Sequence, residues 1–296
     1  MRVIPPILCY HKVDARRELG VTRVAPRVFR RQMEALSAAG VRTLGAAELE
    51  ACVAAAAAAG HRGLAPADAD ELPQAGPDAR SPFAPPQASL ALTFDDGYAS
   101  LAEHAFPLLA DLGLRALVFV VTDFAGRDND WDVHYGWRRF RHLSWDDLAY
   151  WQERGIEVHS HGATHSRLTW LSDTQVADEL GRSRAAITRH LGTTPAGIGY
   201  PFGAVDARVR ALAAAAGYVL GFVGPGTLGR SRSDAPDRLA LHRRPVYAWD
   251  AFAPPWILRE DAAGGLAMAA ARIAHRCAVG TSIIRRIGGA GAAART

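Results

Sequence analysis

Short apolar runs alternate with helical patterns along the chain. Strand-like runs occupy Ile7–Tyr10, Leu90–Phe94, Ala116–Val121, Ile156–Val158, Gly197–Tyr200, Tyr218–Val223 and Leu239–Val246. Helical patterns cover Pro26–Ala39, Ser100–Leu112, Ser144–Arg154, Asp173–Leu191 and Asp206–Ala216. Strands that alternate with helices argue for a parallel β/α architecture, either a barrel or an open sheet. Helix starts carry their own signals. Ser144 precedes Trp145-Asp146-Asp147, a cap residue followed by acids in the first turn, and Asp173 is expected to cap its helix in the same way. In both architectures ligands bind at the C-terminal ends of the strands.

Two motifs with metal-binding chemistry fall at such ends. In Thr93-Phe94-Asp95-Asp96-Gly97, two adjacent acids close an apolar run just before a glycine. Successive strand residues point to opposite faces, but at a turn that rule relaxes and both carboxylates can reach one cavity. Burying two neighbouring acids is costly unless a cation or a proton holds them. The second motif, Ser160-His161-Gly162-Ala163-Thr164-His165, follows the run Ile156–Val158. Its two imidazoles, four residues apart, share one side if they lie on a helical turn or in a tight loop. Two His and one Asp suit zinc or a similar divalent ion and leave positions open, as in a catalytic site. Pro201-Phe202-Gly203 lies at a third strand end.

The rest of the chain narrows the partners. Its 296 residues are 49% hydrophobic with a net charge of +4, which fits one large globular α/β domain. There is no Lys/Arg run with interleaved aromatics, so nucleic acid is not an expected partner. Cys9, Cys52 and Cys277 are too scattered for a disulfide framework and read as incidental thiols. There is no recognisable secretory signal and no apolar run near the roughly 20 residues of a membrane span, so the expectation is a cytoplasmic protein. Residues from about 51 to 88, with the Ala54–Ala59 run and then Pro, Asp and Gly punctuation, read as a short helical stretch followed by a long loop insertion. After Asp261 there are arginines but no acids, so 262–296 reads as a basic helix or tail, with peripheral contact to an anionic membrane as one option.

In order, the motifs resemble those of the polysaccharide deacetylases with a NodB homology domain, carbohydrate esterase family four. Thr93–Gly97 resembles the first motif, Ser160–His165 the second (with Gly162 where Ser or Thr is common) and Gly199–Gly203 the third. Ile7–Val13 and Phe29–Met33 are similar to the branch containing the poly-N-acetylglucosamine deacetylases. The resemblance covers about 1–50 and 88–250. It implies a distorted (β/α) barrel, with a single catalytic domain over 1–260 and the basic tail over 261–296.

The implied activity is metal-dependent removal of N-acetyl groups from an amino-sugar-containing glycan, either a polysaccharide or a lipid-linked or soluble precursor. By resemblance Asp96, His161 and His165 hold the ion, most readily Zn²⁺ with Co²⁺ or Ni²⁺ as alternatives. Asp95 is then the general base, and the amide of Phe202 helps bind the oxyanion. The general acid is expected to be His11, at the end of an N-terminal strand, rather than His242. The ordinary third motif starts with an Arg, whereas Gly197, Ile198 and Gly199 precede Tyr200 here, so Arg243 is a candidate to approach Asp95 instead. Tyr98, Trp131, Tyr200, Pro201, Phe202 and Gly203 are candidate substrate contacts. Two alternatives remain: a related hydrolase acting on an O-acetyl ester or a non-sugar amide, and a glycan-binding protein without catalysis. The intact base and complete metal triad argue against the second.

Overall fold

The apolar runs pair as parallel strands in the computed structural model, which describes residues 4–16, 22–62, 89–129, 139–224 and 236–248. In chain order the elements are β1 (Ile7–Tyr10), β2 (Lys12–Val13), β3 (Arg23–Val24), α1 (Pro26–Ala38), β4 (Arg42–Thr43), α2 (Ala46–Arg62), β5 (Ser89–Phe94), α3 (Ser100–His104), α4 (Phe106–Asp111), β6 (Ala116–Val120), α5 (Trp145–Gln152), β7 (Ile156–Ser160), α6 (Asp173–Leu191), β8 (Gly197–Gly199), α7 (Ala207–Ala215), β9 (Leu220–Val223), β10 (Leu241–His242) and β11 (Arg244–Pro245). The main sheet runs β10-β9-β8-β7-β6-β5-β1-β11, with β4 added beside β5.

The two ends of that path are one stretch of chain. Leu241 and His242 pair with Phe222 and Val223, while Arg244 and Pro245 pair with Leu8 and Cys9. Residues 241–245 therefore bridge the two edges and close the sheet into the expected (β/α) barrel. The sequence pattern read Leu239–Val246 as one strand. Instead two short strands flank Arg243, because this stretch must change partner at its middle.

Alternate residues of each strand face opposite sides, and both sides are buried, as in parallel sheets covered by helices. Ile7, Ala91, Leu117, Phe119, Leu220 and Phe222 form one cluster with Leu49 and Val53 of α2. Phe119 and Phe222 come from strands that are not neighbours, yet their ring centroids lie 4.9 Å apart. Only the barrel lumen allows that contact. The lumen is therefore apolar below, where α2 plugs it. The other faces, Leu8, Tyr10, Leu92, Phe94, Val118 and Val158, pack on Phe29 and Met33 of α1 and on Leu101, Phe106 and Leu109 of α3 and α4. Burial of each such side chain contributes on the order of 1.5–3 kcal/mol.

Several boundaries differ from the sequence pattern. Ser100–Leu112 is two helices that break at Ala105, because Pro107 has no amide donor and its ring clashes with the preceding turn. The cap of α6 is Ser172 rather than Asp173. The Ser172 hydroxyl accepts from the Gln175 amide and the Gln175 side chain returns the bond, which leaves Asp173 in the first turn. Ser144 caps α5 through the same reciprocal pair with Asp147. The helix expected near residue 51 begins at Ala46, and its Leu49 and Val53 belong to the core. Residues 63–88 and 249–296, and with them the loop insertion and the basic tail, lie outside the described residues. Among the described residues no helix is long and apolar enough to cross a membrane.

Candidate metal centre and acid–base pair

The inner face of β5 carries Ala91 and Thr93 and, one step past the strand, Asp95. Asp96 and Gly97 then adopt left-handed backbone, with φ of 68° and 69°. For Asp96 this departs from what side chains prefer, and it brings the second carboxylate to the barrel mouth as well. At 97 only glycine fits, because a Cβ there would lie 2.9 Å from Val120 Cγ1. The Nδ1–H of His142 donates to the Asp96 carbonyl at 2.8 Å and holds the turn.

Asp96 Oδ1 lies 3.5 Å from His161 Nε2 and 3.3 Å from His165 Nε2. The two His belong to a tight loop after β7, not to a helical turn. His161 donates its Nδ1–H to the Gly199 carbonyl at 2.6 Å, which fixes the tautomer and turns the Nε2 lone pair toward Asp96. Burial pushes the His161 pKa down, and it pushes that of His165 well down, with help from neighbouring His161. Both imidazoles are therefore neutral donors at pH 7. A buried carboxylate facing two neutral imidazole lone pairs, with all ligand atoms within 4.8 Å of one another, is a donor set that fits a divalent ion. His165 has φ of 61°, and its ring sits 4.7 Å from that of Phe202, which has φ of 58°.

Asp95 is held differently. Arg243 grips it with both arms, Nη1 to Oδ1 at 2.6 Å and Nη2 to Oδ2 at 2.7 Å. The guanidinium rests 5.4 Å from the Phe119 ring centroid and 6.0 Å from that of Phe222. Gly199 keeps this region open, because a Cβ there would lie 3.0 Å from Phe119 and 3.1 Å from His161 Nδ1. Arg243, the candidate to approach Asp95, thus reaches it from the closing stretch. Burial alone raises the Asp95 pKa, but Arg243, followed by His161 and His11, outweighs it and holds the carboxyl well below its usual range. His11 Nε2 lies 3.9 Å from Asp95 Oδ2. Burial pushes the His11 pKa down to about 4, against the pull of Asp95. His242, the competing candidate, is exposed.

Other expectations need correction. Tyr98 is buried, stacked 4.9 Å from His142 and covered by the Lys12 ammonium. Tyr200 is fully buried, and its hydroxyl donates to the Leu239 carbonyl. Both are packing residues rather than substrate contacts. Pro201 and Gly203 are buried too, which leaves Phe202 as the partly exposed member of that turn. Trp131 lies outside the described residues. His159 accepts from the Gly197 amide, a structural role. Cys9, expected to be incidental, places its Sγ 3.5 Å from Asp95 Oδ2. Its alternation with Ile7 along β1 was the available signal that it faces inward.

Residues 84–221 match the family model described as polysaccharide deacetylase. The Bacillus subtilis (strain 168) protein YxkH is 26% identical over 160 residues, 54% of this chain and 52% of that protein, so the chain spans about half the length of this curated relative. Among solved structures, the Streptococcus pyogenes deacetylase PplD in complex with acetate superposes with a TM-score of 0.62 at 21% identity, covering 83% of this chain and 93% of that one. IcaB from Ammonifex degensii superposes with a TM-score of 0.58 at 23% identity, covering 81% and 91%. At these identities the two structures establish likeness of fold.

Proposed function

We propose that this chain, whose residues 84–221 match the polysaccharide deacetylase family model, is a metal-dependent hydrolase that removes N-acetyl groups from an amino-sugar-containing glycan. The observation that carries the reading is the pairing of two differently held carboxylates. Asp96 faces His161 and His165, while one residue away Asp95 is gripped by Arg243. Neighbouring acids in unlike environments take unlike roles.

Asp96, His161 and His165 are the residues that hold the ion, which when bound supplies Lewis acidity toward water and toward the amide carbonyl. Asp95 is ionised at neutral pH. Oδ2 accepts from Arg243 and from the Cys9 thiol, while Oδ1 gives one lone pair to Arg243 and keeps another, so the carboxylate is oriented and still able to accept a proton from attacking water. His11 is neutral before the reaction, because burial pushes its pKa down. His11 Nε2 stands 3.9 Å from Asp95 Oδ2, beyond direct hydrogen bonding, so the proton that Asp95 takes from water reaches His11 only through a water or reacting group between them. The amine departs only when protonated, and His11 is the group placed to protonate it. The left-handed backbone of Phe202 beside His165 supports its amide as a donor to the developing oxyanion.

The test is acetate release from N-acetylglucosamine oligosaccharides, run beside an O-acetyl ester panel, with bound metal measured in the native protein and in Asp96→Ala. The expected result is about one equivalent of divalent ion in the native protein, loss of that ion in the variant, and acetate release only from the loaded native enzyme on the N-acetyl substrates. Acetate release that survives removal of the ion would overturn the reading.

A further inference from the structure

α6 buries Val176, Glu179, Leu180, Ser183 and Ile187 along one face. This spacing anchors a helix on a barrel, but two members of the stripe are polar and lie four apart. A carboxylate in such a place is costly unless its oxygens are satisfied. Among the described residues Glu179 pairs with no cation. Its bonds all run to the turn between the two imidazoles. Oε2 accepts the amides of Ala163 and Thr164, each at 3.0 Å, and Oε1 accepts the Thr164 hydroxyl at 2.7 Å. Ser166 lies 2.7 Å from that hydroxyl and extends the chain. The amide of Gly162 goes to the Ser160 hydroxyl at 3.1 Å, which is 2.7 Å from that of Ser183. Three successive amides, at 162, 163 and 164, are thus collected by oxygens that α6 bears or supports. The turn is tight as well: Gly162 has φ of 81°, and a Cβ there would lie 3.3 Å from Glu179 Oε2. The next residue is His165, held in left-handed backbone that a non-glycine residue adopts only when its surroundings enforce it.

We infer that Glu179 is a positioning residue for the metal centre. It folds the 162–164 turn around its carboxylate and so sets the angle at which His165 meets Asp96. The inference rests on the metal-dependent reading above. Its content is geometric. Gln at 179 keeps an oxygen for the two amides and offers an N–H to the Thr164 hydroxyl, so the turn survives without the charge. Leu is close to Glu in size and strands all three donors.

The experiment titrates Co²⁺ into the full-length metal-free protein and records its visible ligand-field spectrum and affinity. Thermal unfolding of the metal-free form is followed alongside. Glu179→Leu is expected to weaken Co²⁺ binding about 10–100-fold and to change the spectrum, as loss of a group that orients a ligand does. Glu179→Gln is expected to keep the native spectrum and an affinity within about threefold, the rescue that marks geometry rather than charge. Thr164→Val, which removes one of the three bonds, is expected to weaken binding severalfold and decides the matter should Glu179→Leu fail to fold. Native affinity and spectrum in a folded Glu179→Leu, or in Thr164→Val when the Leu variant is unfolded, overturn the inference. So does a Gln variant as weak as Leu. If the wild type binds Co²⁺ and Asp96→Ala does not, those results sink this inference alone. A wild type that takes up no Co²⁺ sinks the metal reading and this inference with it.

Discussion

Replacing Arg243 with Met in the metal-free protein tests the electrostatic core of the site. The pair it breaks is sealed from solvent, with side-chain exposures of 3% for Arg243 and 6% for Asp95, so salt and water screen it little. Both guanidinium arms are engaged, at 2.6 and 2.7 Å. Removing one member leaves a carboxylate in the lumen with no cation bonded to it, a change that typically costs about 3–5 kcal/mol. Asp95→Asn strands the guanidinium instead and is expected to cost a similar amount. The double variant leaves neither charge behind, so its loss should fall short of the sum of the singles by about 2–3 kcal/mol. Guanidinium chloride unfolding at pH 7, followed by tryptophan fluorescence and circular dichroism, measures all four corners of the cycle. Single losses below about 1 kcal/mol, or losses that simply add, would refute the claim that the two charges hold one another.

Three further outcomes follow from the same geometry. His11→Asn should lower kcat for deacetylation by about 10²–10⁴-fold, whereas the exposed His242→Ala should leave it unchanged; the reverse pattern would move the acid to the closing stretch. In the metal-free protein, stability should fall as the pH drops from about 6.5 to 4. Over that window the unfolded chain binds protons at residues 11, 161 and 165 that the folded one does not, and residue 11 alone accounts for up to about 3 kcal/mol. A second loss should follow below the usual carboxylate range, as Asp95 is forced to protonate, and His11→Asn should shrink the first step to the share of His161 and His165 while sparing the second. Gly199→Ala should weaken metal uptake, since the added methyl pushes on Phe119 and on the ring nitrogen that orients His161; a variant with native affinity for Co²⁺ would show that the ring has room to yield.

The strands and the ligand motifs were legible because their signals are local. An apolar run that ends in Asp95-Asp96-Gly97, and a His pair four apart, state their chemistry within a few residues. The placing of His11 near Asp95 was readable for the same reason, as the polar residue just past β1. What the sequence could not state was mostly pairing at a distance. Arg243 was a candidate for Asp95 only through the resemblance and the arginine absent from the third motif; nothing local states the pairing, because it depends on where the barrel closes. Tyr98 and Tyr200 sit beside motif glycines, which suggested contact with a ligand, but their rings turn back into the core and their neighbours there come from distant segments. Glu179 left a trace in the pattern, a charged residue within the buried stripe of α6. It is legible in hindsight as a buried acid that needs donors, though not which donors.

The closing stretch has a consequence for how the protein comes into being. Arg243 reaches back 148 residues to Asp95, and the amide of Val246, just beyond, bonds to the Cys9 carbonyl on the first strand. Contacts between such remote segments form late and slowly. On the ribosome, the ligand loop and the aspartate pair emerge long before the segment that seals the ring and delivers the cation for Asp95. A nascent chain stopped short of residue 241 would carry Asp95, Asp96, His161 and His165, yet neither Arg243 nor the last stave of the barrel. Competence as a catalyst should therefore arrive in one late step, so that truncated or stalled products are open and inert rather than partly active.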